Sequence, residues 1–85
     1  MANFDNDVSH RINVAAYYLS QKNFAYDKLC WLLAERQLLV QRDPKHNQHG
    51  RMKEKAAEIF FSGPPYDILV YLIAELDILI KLKKT

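Results

Sequence analysis

Apolar residues recur along this chain at the three-and-four spacing of helices, in four blocks separated by three polar or proline-containing breaks. In the first block Ile12, Ala15, Ala16 and Leu19 share one face, widened by Tyr17 and Tyr18, and predict a helix over about 9–20 capped by Asp7 or Ser9. Gln21, Lys22 and Asn23 form a short connection, with Asn23 as the next cap. Leu29, Leu32, Leu33, Leu39 and Val40 then predict a second helix over about 24–41. Asp43-Pro44 stops it, because the residue before a proline is pushed out of the helical region. A third helix is expected over about 51–61, ended by Gly63, and a fourth over about 65–82, where a proline in the first turn is tolerated.

The second and fourth blocks spell nearly the same letters. YDKLCWLLAERQLLV occupies 26–40 and YDILVYLIAELDILI occupies 66–80, with Tyr26/Tyr66, Asp27/Asp67, Leu29/Leu69, Leu32/Leu72, Ala34/Ala74, Glu35/Glu75 and Leu39/Leu79 identical. Upstream, Ala15-Ala16 can be set against Ala56-Ala57, which leaves one residue fewer in the second turn. One two-helix hairpin cannot hide its apolar face, whereas two copies packed together can. The expected fold is therefore all-α: two duplicated helical hairpins, about 8–41 and 51–83, joined by a polar hinge over 42–50 in one pseudo-twofold bundle.

The fourth block is apolar nearly all round, with Ile68 to Ala74 consecutive, and such a helix needs partners on more than one side. Three short helices of the same chain leave part of it for a second copy, in a symmetric homodimer, or for a different protein. The expected anchors are Tyr66, Leu69, Tyr71, Leu72, Ile73, Leu76 and Leu79, packed helix-in-groove. A central position for this helix inside the bundle is the alternative, and it needs no partner.

Composition narrows the function class. At 85 residues the chain holds one small core, and 49% apolar with 26% charged residues fits a folded globular protein. The formal charge of +2 is smaller than the contribution of Lys81, Lys83 and Lys84 alone, which is not the dense basic stripe of a nucleic-acid footprint. Cys30 is the sole cysteine, so an internal disulfide is excluded and a reducing compartment is expected; its apolar neighbours mark it as a small core residue. The N-terminal stretch lacks a secretory pattern, and the apolar run 68–80 carries Glu75 and Asp77 and is too short to span a bilayer, so a cytoplasmic location is expected.

Side chains with chemical potential have plainer roles. Glu35 and Glu75 at the edge of the apolar stripe are expected to bond across the helix contact, with Ala34 and Ala74 allowing close approach, rather than to act as an acid/base pair. Asp27 and Asp67 sit in the first turn of their helices, where a carboxylate favours the dipole. His46, His49 and Asp43 are too few to hold a metal and read as a solvated loop. Lys45, His46, His49, Arg51, Lys53 and Lys55, with tyrosines 17, 18 and 26, make nucleic-acid binding an alternative, which Glu54 and Glu58 dilute. No catalytic residue, metal ligand, cofactor or small-molecule substrate is assigned.

Two resemblances follow from these residues. Trp31-Leu32-Leu33-Ala34-Glu35 and Tyr71-Leu72-Ile73-Ala74-Glu75, with Gly63-Pro64 in the second turn, resemble the W-L-x-A-E helical hairpin of a bacterial family known only as a domain of unknown function. That resemblance implies helices and a bacterial source and no activity. Arg42 and His49 resemble the R-x(4 to 6)-H motif of the helical HEPN ribonucleases, which would imply Arg42 on a phosphate and His49 as general base. The leading expectation from the whole sequence is a non-enzymatic module that binds another protein or itself.

Overall fold

The computed structural model describes residues 2–84, with side chains over 7–83. Four helices follow one another: α1 (Ala2–Ser20), α2 (Tyr26–Val40), α3 (His49–Ser62) and α4 (Tyr66–Lys84). No strand is present among the described residues, and the helices pack as a small all-α bundle of about 41 × 28 × 20 Å. Among them, no helix is long and apolar enough to cross a membrane.

Consecutive helices are not packing partners. α1 lies on α4, α3 lies on α2, and α2 and α4 lie on each other, while among the described residues α1 makes no packing contact with α2, nor α3 with α4. Each two-helix unit is therefore open, and every interhelical contact joins one half of the chain to the other. The larger core gathers Leu29, Cys30, Leu33 and Ala34 of α2, Ile59 of α3, and Leu69, Val70 and Ile73 of α4. A smaller one packs Ile12 of α1 on Ala74 and Ile78 of α4. Each large aliphatic side chain removed from water this way contributes about 1.5–3 kcal/mol, and α4 receives this from two sides.

Residues forty apart occupy equivalent places. Leu29/Leu69, Cys30/Val70, Leu33/Ile73, Ala34/Ala74 and Leu38/Ile78 are all buried. The Tyr26 hydroxyl donates to the Pro64 carbonyl (2.5 Å) and the Tyr66 hydroxyl to the Phe24 carbonyl (2.6 Å), so each tyrosine reaches the carbonyl two residues before the other. These reciprocal bonds place the first turns of α2 and α4 side by side, and the Arg36–Asp77 contact further along shows that the two helices run in the same direction.

The same spacing holds in the turns. Asn23 (φ 53°) and Gly63 (φ 66°) both take the left-handed conformation that reverses the chain, a conformation glycine adopts freely and asparagine tolerates. Upstream, Ala16/Ala56 and Leu19/Ile59 pack against the core at that offset, so the alignment of Ala15-Ala16 with Ala56-Ala57 is displaced by one residue, although the non-helical connection is 21–25 in the first half and 63–65 in the second. Asn23 is not a cap: α2 begins after an extended Ala25 that makes no side-chain cap bond. Asp7 and Ser9 do not cap either, because α1 begins seven residues before Ser9, at Ala2. Tyr17 and Tyr18 point to solvent rather than widening the packed face, since α1 needs only Val8, Ile12, Ala15, Ala16 and Leu19 to cover α4.

The segment between α2 and α3 is a bonded turn and not a loose hinge. Arg42 (φ 58°) ends α2, with the Arg42 and Asp43 amides donating to the Leu39 and Leu38 carbonyls, the double closure of a left-handed helix end. Asp43 then accepts the Lys45 amide (2.8 Å) on Oδ1 and the Arg51 guanidinium (3.1 Å) on Oδ2, tying the turn to the first residues of α3. These bonds hold its carboxyl below the ordinary carboxylate value, the Lys45 amide most and Arg51 next.

Candidate functional site

The two central helices leave two equivalent grooves between them. One is lined by Glu35, Arg36, Leu39, Asp77 and Ile80, with His46, Asn47 and Met52 from the turn and α3. The other, of about 310 Å³, is lined by Leu72, Glu75 and Leu76 of α4 and Leu33, Gln37, Val40 and Gln41 of α2. Glu35/Glu75, Arg36/Leu76, Gln37/Asp77 and Val40/Ile80 are forty-residue counterparts, so the central positions of the grooves match, while His46, Asn47 and Met52 wall the first alone.

The difference at those central positions is chemical. In the first groove the Arg36 guanidinium donates from Nε to Asp77 (2.8 Å) and from Nη1 to Glu35 (2.7 Å), bridging α2 and α4 and using both carboxylates. In the second, Leu76 and Gln37 stand where Arg36 and Asp77 would be, no ion pair crosses the groove, and Glu75 makes no ion pair among the described residues. The carboxylates Glu35 and Glu75 therefore line different grooves and do not form the acid/base pair that a symmetric site would need. Ala34 and Ala74 are buried and let α2 and α4 sit close to their neighbours, as their size suggests.

The second groove continues onto the outer face of α4. Ile68, Leu72, Glu75 and Leu79 recur at four, three and four residues and so form one stripe. Ile68 is 45% and Leu79 39% exposed, and Tyr71 beside them is 37% exposed. On α2 the counterpart stripe begins with Lys28, whose ammonium lies over the Phe24 ring, and includes Glu35, which Arg36 neutralises. The two faces share the leucines Leu32/Leu72 and Leu39/Leu79 and the central glutamate, and differ at Lys28/Ile68 and Arg36/Leu76, so that the α2 carboxylate is paired and the α4 one stands in an apolar stripe.

The seven anchors expected from the sequence divide accordingly. Tyr66, Tyr71 and Leu79 are exposed, and Leu72 and Leu76 are half-buried at the groove. Leu69 and Ile73 are fully buried between α4 and α2 and serve the internal core, so they are withdrawn from any partner surface. α4 proves to be flanked by α1 and α2, the central placement, which is why its inward residues need no outside cover.

Other sequence candidates are dispersed. His46 places Nδ1 3.0 Å from the Asp43 carbonyl, whereas His49 opens α3 and packs its ring on Trp31, centroids 5.1 Å apart. Among the described residues no three His, Cys, Asp or Glu side chains gather as metal ligands. Arg42 lies by Leu39, Val40, Ile80 and Lys83, whereas His49 is turned to Trp31. Of the basic cluster around the turn, Arg51 is spent on Asp43 and Glu54 and Lys55 lies 3.8 Å from Glu58. Asp27 and Asp67 each accept the amide of the next residue in the first helical turn, at 2.9 and 3.0 Å. Cys30 is 1% exposed, and burial above all, then the nearby Asp27, pushes its thiol up.

A second aromatic region escaped the sequence reading. Phe61, 85% exposed, stands with Phe60 at the end of α3, over a groove floored by Ala56 and Ala57 and flanked by Trp31. Phe60 also meets Tyr26 edge-on, with centroids 5.7 Å apart. The adjacent Phe60-Phe61 pair at a helix end was the available signal, since the two cannot both face one core. In comparisons with known proteins, no family model, no curated protein and no solved structure matches this chain.

Proposed function

We propose that the protein is a non-enzymatic interaction module whose α4 groove receives an amphipathic helix of a partner protein carrying a basic residue opposite Glu75. The observation that carries this reading is the contrast between the two equivalent grooves. Where α2 presents Lys28 and the Arg36–Glu35 pair, α4 presents Ile68, Leu76 and an unpaired Glu75. Contiguous exposed apolar residues on a soluble surface mark contact sites, and a lone carboxylate among them selects a cation on the partner. The partner's apolar residues would rest on Ile68, Tyr71, Leu72, Leu76 and Leu79, with Tyr66 at the rim.

The test uses two labelled amphipathic helical peptides, identical except for arginine or glutamate at the central position, titrated into the full chain and followed by fluorescence anisotropy. Tighter binding of the arginine peptide is expected, with the preference reversed by Glu75→Lys and binding lost in Leu79→Asp at unchanged helicity. Equal affinities for the two peptides, or an unchanged preference in Glu75→Lys, contradict the reading.

A further inference from the structure

We infer that, on refolding at high concentration, this chain pairs with a second copy of itself by exchanging halves, α1 and α2 of one copy packing with α3 and α4 of the other. Among the described residues the helix interfaces, α1 on α4, α2 on α3 and α2 on α4, all cross between the two halves, and none lies within a half. The reciprocal tyrosine bonds and the Arg36–Asp77 pair also cross between halves. Two copies that trade halves thus recover every one of these contacts twice, and the only structure that must change is residues 41–48. That is the condition under which exchange of an element between protomers is cheap.

The connecting segment sets the balance. Extended, its eight residues reach roughly 26–29 Å, enough to cross the 20 Å or 28 Å width of one bundle into a neighbour. In the closed chain it is held by the left-handed Arg42, by the Asp43–Lys45 amide bond and by the Asp43–Arg51 pair. Pairing within one chain also has the advantage of a high effective concentration, in the millimolar range for a short connection. Exchange is therefore expected when the chain refolds at high concentration, or when the bonds that hold the turn are removed. It uses buried faces and is independent of the α4 groove.

A charge-complementation experiment on the full chain tests this. Arg36→Asp places like charges against Asp77, and Asp77→Arg places like charges against Arg36, so each variant alone carries a repulsive pair whether closed or exchanged. In a mixed exchanged dimer both bundles hold opposite charges, one native and one reversed. The two variants are unfolded together in urea, refolded at high concentration and sized by light scattering. The expected result is a species of twice the 10.0 kDa chain mass that forms in the mixture and melts above either variant.

A mixture that stays at the mass of one chain, or equal dimerisation of each variant alone, overturns the inference. A second measurement does not depend on those substitutions: Asp43→Ala removes the Lys45 amide bond and the Arg51 pair that hold the closed turn while keeping its full eight-residue reach, and is refolded at high concentration. A dimer with native helicity supports exchange, and a monomer or an unfolded chain contradicts it.

Discussion

Leu33 and Ile73, forty residues apart and both buried in the α2–α4 contact, are the side chains on which the fold depends most equally. Truncating either to alanine is expected to cost about 2–5 kcal/mol, a large part of what a chain of this size has. Leu39→Ala and Leu79→Ala, at exposed counterparts, are expected to fall near the ±0.5 kcal/mol of ordinary surface changes. Urea denaturation of the four variants separates the two classes, and a Leu79→Ala loss as large as that of Ile73→Ala would place Leu79 in the core. Cys30 gives a chemical version of the same prediction. Its buried, proton-holding thiol should resist alkylation at pH 8 in the native protein and react at the rate of a free thiol once unfolded. Rapid native-state labelling would contradict that burial.

The turn between α2 and α3 owes its tie to α3 to one carboxylate. Asp43 is held below its ordinary value by the Lys45 amide and Arg51, so it binds a proton less readily folded than unfolded. Its contribution to stability is present above the unfolded carboxylate value and is lost as pH falls through the folded one. Asp43→Asn is expected to remove this part of the acid sensitivity and to speed hydrogen exchange in the first turn of α3. Equal acid profiles for the two proteins, from urea midpoints between pH 7 and pH 3, would show that the pairing contributes nothing.

The helices themselves were legible from spacing, as Ile12, Ala15, Ala16 and Leu19 show, because a buried stripe leaves a periodic trace. The role of Asn23 was not, since asparagine serves as a cap or in a left-handed turn with equal ease, and only the counterpart Gly63 discloses which. Leu69 and Ile73 could not be told from Tyr71 and Leu79 on a helix that is apolar all round. Their sorting comes from α1 and α2 arriving on two sides, which no local pattern encodes. The α4 groove became visible only when positions forty apart were compared after folding, with Leu76 set against Arg36 and Gln37 against Asp77.

At the scale of the whole molecule, the chain behaves as two interdependent halves closed on each other. Neither half has a helix–helix interface of its own, and isolated helices of 14–19 residues are marginal in water. Stability should therefore be a property of the pair and not a sum of two units. The most direct measurement introduces a protease site at residues 45–47 of the full chain, cleaves it after folding, and follows helicity and mass as the nicked protein is diluted and its fragments are separated. The two fragments are expected to stay together with native helicity when concentrated, and both to lose helicity on separation. A separated fragment that keeps its native helicity would contradict it, because a half would then hold a core that the structure does not give it.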